Sequence, residues 1–143
     1  MIAAVHALTG AALGRVCGSR TQALLVGGAS HLAADALPHR DLEIPEEALL
    51  LGAALGVIAL KCGWDSREFA GAVGAVLPDV ENLVARVLDV PNTHMLLPTH
   101  RGRHGRETKD FGGQLLLSLG CLAALFLPRS RCAKERERGN SSR

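Results

Sequence analysis

Gly10, Gly14 and Gly18 recur at every fourth position, and residues 2–17 are otherwise small and aliphatic apart from His6, Thr9 and Arg15. Four residues is close to one helical turn, so these glycines form a stripe without side chains on one helix face. A stripe of this kind lets a second helix approach to near backbone contact. The composition points the same way. Hydrophobic residues make up 48% of the chain but aromatics only 3%, and many of the 16 Gly lie inside apolar runs. The interior is therefore expected to be built from closely packed helices over Gly, Ala, Leu and Val. No stretch alternates with the period of a strand, so the expected class is all-α, a small bundle of about five to six helices.

Local signals place those helices. Ser19-Arg20-Thr21-Gln22 has capping-box form and starts a helix that runs to about Leu37. Ile44-Pro45-Glu46-Glu47 starts another, with Pro near its first position and two acids where the dipole favours them; it stops near Cys62-Gly63. Asp65-Ser66-Arg67-Glu68 opens a further helix, which Pro78 is expected to interrupt; Asp79 to Leu88 reads as its continuation or as a short separate helix capped by Asp79, ended by Pro91. Residues 92–110 are the least regular, and the apolar segment Phe111–Leu127 follows. The organisation expected is one domain, 1–128, with a disordered basic tail, 129–143.

The apolar helices also bear on location. Ala48–Leu60 and Phe111–Leu127 fall short of the ~20 residues of a spanning helix, yet several helices are apolar nearly all round. A chain of 143 residues has too little core to hide them all. The expectation is a membrane-embedded or membrane-associated bundle with lipid as a partner; a compact soluble helical domain is the alternative. Basic residues are in excess after the last apolar segment, which suggests the cell (inner) membrane with a cytoplasmic C-terminus. The net charge of +2 and the absence of a recognition motif argue against a nucleic-acid partner. Cys17, Cys62, Cys121 and Cys132 are far apart and read as free thiols of a reducing compartment. The first residues lack a basic signal-peptide region and read as part of the mature fold.

Chemistry concentrates in Ser30-His31-Leu32-Ala33-Ala34-Asp35-Ala36-Leu37-Pro38-His39. His31 and Asp35 are four apart and share a helix face; Pro38 is expected to turn the chain so that His39 swings back toward them. Two imidazoles and a carboxylate converging at a helix end suit a divalent ion, Zn²⁺ or Mn²⁺. Without an ion, the same residues make the polar edge of an ordinary helix. His6 and Asp79 also stand in apolar surroundings, and ionisable groups on successive apolar helices tend to face one another. The candidate ligands are therefore His6, His31, Asp35 and Asp79. His39 and His100 are further ligands or proton carriers, and Arg101 could hold a phosphoryl oxygen.

These motifs, His6 with Thr9-Gly10, Ser30-His31-x-x-x-Asp35-x-x-Pro38-His39, Leu77-Pro78-Asp79 and His100-Arg101-Gly102, resemble those of metal-dependent hydrolases of the inner-membrane-associated, LexA-binding type. In that family the Leu-Pro-Asp and His-Arg-Gly motifs precede the His-x-x-x-Asp motif, whereas here they follow it. The resemblance implies a small helical membrane protein whose His and Asp side chains form a metal site. A looser likeness runs to all-helical zinc phospholipases C and nucleases, which also use a His-x-x-x-Asp helix. The function expected is hydrolysis of a phosphoester or lipid-linked substrate. The alternative is a non-enzymatic membrane protein with a structural His/Asp site.

Overall fold

The computed structural model describes residues 1–37, 39, 40, 42–87 and 111–128. Among them are five helices and no strand: α1 (Ala3–Gly14), α2 (Arg20–Asp35), α3 (Ile44–Cys62), α4 (Arg67–Val87) and α5 (Gly112–Phe126). The all-α class is as expected.

Capping chemistry sets the ends. Ser19 Oγ accepts the Gln22 N–H at 3.1 Å, while Gln22 Oε1 reaches back to the Gly18 N–H at 2.7 Å, so two orphan donors at the start of α2 are satisfied. α3 carries Pro45, Glu46 and Glu47 in its first turn and ends at Gly63, whose φ of 91° suits glycine. Ser66 Oγ accepts the Phe69 N–H at 3.0 Å and starts α4. Pro78 does not break α4, which runs through it, so the segment from Asp79 is the continuation and not a separate helix. Proline withholds one N–H, the donor to Gly74 O. Packing along the preceding turns, where Gly71 and Gly74 lie against α1 and α2, keeps the segment helical despite that loss. Asp79 is therefore a residue inside a helix and not a cap.

α1 is the central element and packs against the other four. Its N-terminal donors are held by side chains of two neighbours. The Ile2 N–H donates to Gln114 Oε1 at 3.1 Å, and the Ala3 N–H donates to Glu47 Oε2 at 2.9 Å. At the far end, the Arg15 guanidinium donates to the carbonyls of Ala124, Leu125 and Leu127 and so caps the C-terminus of α5. These contacts pair like ends, so α3 and α5 run in the same direction as α1. α2 and α4 run the opposite way, with Asp35 beside His6 and Arg67 beneath Gly14.

The helices α1, α2 and α4 meet over glycine. Gly71 O occupies the space that a Cβ on either Gly10 or Gly27 would need, and a Cβ on Gly10 would also lie 2.6 Å from Ala75 Cβ. Gly14 lies directly over Arg67 O, and Gly74 over Leu24 O. Gly18 does not continue this stripe: α1 ends at Gly14, and Gly18 instead donates to the cap of α2.

Among the described residues no helix is long and apolar enough to cross a membrane. α3 holds Glu46, Glu47 and Lys61 within its 19 residues. α5 has 15 residues, about 22 Å of helix against a hydrocarbon core of about 30 Å. The expected basic tail and residues 92–110 lie outside the described residues.

Glycine substitutions separate these roles. Gly71→Ala should destabilise the fold by about 1–3 kcal/mol, since the added methyl meets the α1 backbone. Gly52→Ala on α3 has nothing within 4 Å and should stabilise by about 0.5–1 kcal/mol. Urea denaturation of the two variants measures both; equal effects would show that the junction is not tightly packed.

Candidate metal centre

The direction of each helix brings four side chains to one end of the bundle. His6 is one turn before Gly10 on α1, His31 one turn after Gly27 on α2, and Asp79 two turns after Gly71 on α4. Helices that touch at those glycines cannot keep these side chains apart. His6, His31 and Asp79 each offer a donor atom, and the three atoms lie within 4.8 Å of one another. The His6 and His31 rings stack, with centroids 4.1 Å apart and planes inclined by 27°. Asp35 lies against both imidazoles: Oδ1 is 3.1 Å from His6 Nε2, and Oδ2 is 3.3 Å from His31 Nε2. The Met1 amine donates to Asp35 Oδ1 at 3.1 Å.

Backbone chemistry sets the tautomer of His31. Its Nδ1 lies 2.9 Å from the Ala75 carbonyl, which can only accept, so Nδ1 carries hydrogen. Nε2 then faces two carboxylates, Asp35 Oδ2 at 3.3 Å and Asp79 Oδ1 at 3.8 Å. A bare nitrogen lone pair against carboxylate oxygens is repulsive, so this slot calls for a positive centre, either a proton on Nε2 or a cation. His6 shows a related need. Its Nε2–H donates to Asp35, and its Nδ1, on a side chain 1% exposed, has no hydrogen-bond partner among the described residues. Histidine ligands often have one nitrogen held by a carbonyl or carboxylate and the other turned to a metal. The donor set of imidazole and carboxylate fits a borderline divalent ion.

Electrostatics follow from burial and these contacts. Burial disfavours a charged His6, outweighs the bond to Asp35, and lowers its pKa to about 4, so the ring is neutral at pH 7. Burial opposes charge on His31 as well, but the bond to Asp35 and the field of Asp79 outweigh it and raise the pKa. Asp35 is also buried, yet its bonds to His31 and His6 hold it well below the usual carboxylate range. Asp79 goes the other way: burial pushes it up to about 6, with His31 offsetting part of the effect. Its side chain is 27% exposed, the most open of the four.

The other candidates fare differently. His39 is buried but is not among the three residues whose donor atoms lie within 4.8 Å of one another; its Nδ1–H donates to Leu37 O at 2.7 Å. His100 and Arg101 lie outside the described residues. Three contributors were not anticipated: the Ala75 carbonyl and the side chains of Glu47 and Gln114 that hold the start of α1. Gln114 left a trace in the sequence as a polar residue in an apolar run, whereas a backbone carbonyl leaves none. No family model, curated protein or solved structure matches the chain.

Proton competition gives the site a pH signature. At pH 5.5 both Asp79 and His31 hold protons that a divalent ion must displace, while His6 does not. Affinity for Zn²⁺ should rise by up to about a hundredfold per pH unit below pH 6 and by about tenfold or less per unit near pH 7. Calorimetry in buffers of different ionisation enthalpy counts the protons released. A flat profile from pH 5 to 7 would remove Asp79 and His31 from the ligand set.

Proposed function

We propose that this chain is a membrane-associated, metal-dependent hydrolase acting on a phosphoester or lipid-linked substrate. The observation that carries the reading is the convergence of His6, His31 and Asp79 from three helices onto one point, with Asp35 against both imidazoles. The residues that would hold the ion are His6, His31 and Asp79. A divalent ion bound there supplies Lewis acidity toward a phosphoryl oxygen and toward water. The chain's own side chains do the rest. Ala75 O and Asp35 fix the ring orientations of His31 and His6. Asp79, the most exposed of the four side chains, would leave the ion's open side reachable by water and ester. The stacked rings close the opposite side to water.

The likeness to the LexA-binding, inner-membrane-associated hydrolases supports the same reading, with the inner membrane as the proposed location. The large apolar side chains left exposed on α3 and α5 also support it. The exposure of Asp79 favours an enzyme over a closed structural site, since catalytic ions keep an open position.

Protein purified without chelators and loaded with Zn²⁺ or Mn²⁺ should retain about one divalent ion per chain and hydrolyse bis(p-nitrophenyl) phosphate. His31→Ala and Asp79→Asn should lose both properties, while Glu46→Gln, an exposed acid of α3, keeps them. A chain that retains its ion and gains thermal stability from it, but turns over no ester, would be a structural metal protein.

A further inference from the structure

Every helix leaves some large apolar side chains exposed, and α3 and α5 each carry a stripe of them. On α3 they include Ile44, Leu49, Leu50, Val57 and Leu60; on α5 they include Leu115, Leu116 and Leu119. Leu49 is 75% exposed, Leu60 92% and Leu116 74%, values far from those of core residues. Both helices run parallel to α1, and each stripe begins within one turn of a residue that holds the start of α1: Glu47 on α3 and Gln114 on α5. Those contacts lie five residues or fewer from His6, so the stripes start at the level of the His/Asp cluster.

Cations mark both ends of α5. The Arg40 guanidinium sits over the Phe111 ring at 4.8 Å, and the Lys61 ammonium sits over the Phe126 ring at the same distance. The chain has only three Phe, and two of them are used in this way. A cation stacked on an aromatic ring at the edge of an apolar stripe is the arrangement that suits a headgroup layer, where the ring meets acyl chains and the charge meets phosphate. The helix between these pairs is about 22 Å long, too short to cross, and suits burial along one face of a bilayer. On α4, Leu77 and Val80 stand on either side of Asp79 in the chain, and each is 45% exposed.

We propose that the α3/α5 face seats on a lipid bilayer and that the cluster acts on the phosphoester of a phospholipid headgroup held at that surface, in preference to a soluble phosphoester. This rests on the hydrolase reading above. In the reaction, the hydroxyl of water adds to phosphorus, one P–O ester bond breaks, and the leaving oxygen takes the proton; no oxidant or further reactant is needed. Anionic lipid matches the cations Arg40 and Lys61, and the apolar stripes match the acyl region below it.

The test uses the full chain loaded with Mn²⁺, with two substrates at equal phosphoester concentration: vesicles of phosphatidylglycerol and phosphatidylcholine, and bis(p-nitrophenyl) phosphate. Wild type should hydrolyse the vesicle lipid about tenfold or more faster than the soluble ester. The variant carrying Leu116→Glu and Leu119→Glu, both on exposed positions, should lose vesicle flotation and about tenfold or more of the lipid activity. Its rate on the soluble ester should be unchanged. A preference for the soluble ester, or a double variant that floats and turns over lipid like wild type, overturns the proposal. So does a variant whose only change is from dimer to monomer, which would assign the face to a second copy of the chain. Failure of wild type on both esters overturns the hydrolase reading itself, and is distinguishable because the soluble arm is then silent as well.

Discussion

Three helices of this protein touch through glycine, and the arrangement of every charged group at the site follows from that contact. Gly71 of α4 fills the space opposite Gly10 of α1 and Gly27 of α2, so no side chain separates the three backbones. At ordinary interhelical distances of about 8–10 Å, the cluster one or two turns further along would be spread apart. With the closer approach, His6, His31 and Asp79 share a space of 4.8 Å. The cost of gathering such groups is desolvation, and it shows in the lowered pKa of His6 and the raised pKa of Asp79. The compensation is local. Asp35 accepts from His6 and the Met1 amine and faces His31, while Ala75 O takes the hydrogen of His31 Nδ1.

The slot between His31 Nε2 and the two carboxylates holds either a proton or a cation. A proton satisfies it in the metal-free fold, which accounts for the raised pKa of His31. A divalent ion satisfies it with more charge and also engages His6 and Asp79. The two states would compete for one position, so an ion held there would titrate against the proton on His31. The N-termini of α1, α3 and α5 all lie at this end of the bundle, and their dipoles favour the negative charge of Asp35 and Glu47.

Much of this was legible in the sequence where the signal is local. The pairing of His31 with Asp35 follows from a separation of four residues on one helix, the caps at Ser19 and Ser66 follow from backbone hydrogen bonding, and Pro45 in the first turn of α3 follows from its fixed φ and missing N–H. His6 and Asp79 could be named because a polar residue in an apolar helix needs a partner. The partners of the glycine stripe were not legible, since Gly27, Gly71 and Gly74 contact other helices only once the fold is formed. Pro78 left two readings open for the same reason: one lost hydrogen bond is a local penalty, and packing against α1 and α2 decides for the continuous helix. His39 bonds to Leu37 O, a contact with the backbone that its spacing from Asp35 does not foretell. The apolar segments of α3 and α5 were visible as runs, but among the described residues neither helix is long and apolar enough to cross a membrane.

X-ray absorption spectroscopy at the zinc edge of the loaded protein reads the donor set directly. The account predicts a first shell of nitrogen and oxygen at about 2.0–2.2 Å with the multiple scattering of two imidazoles, and no sulfur. A sulfur shell at about 2.3 Å would transfer the ion to the cysteines. A shell of oxygen without imidazole scattering would leave His6 and His31 as a buried hydrogen-bonded pair and contradict the metal centre described above.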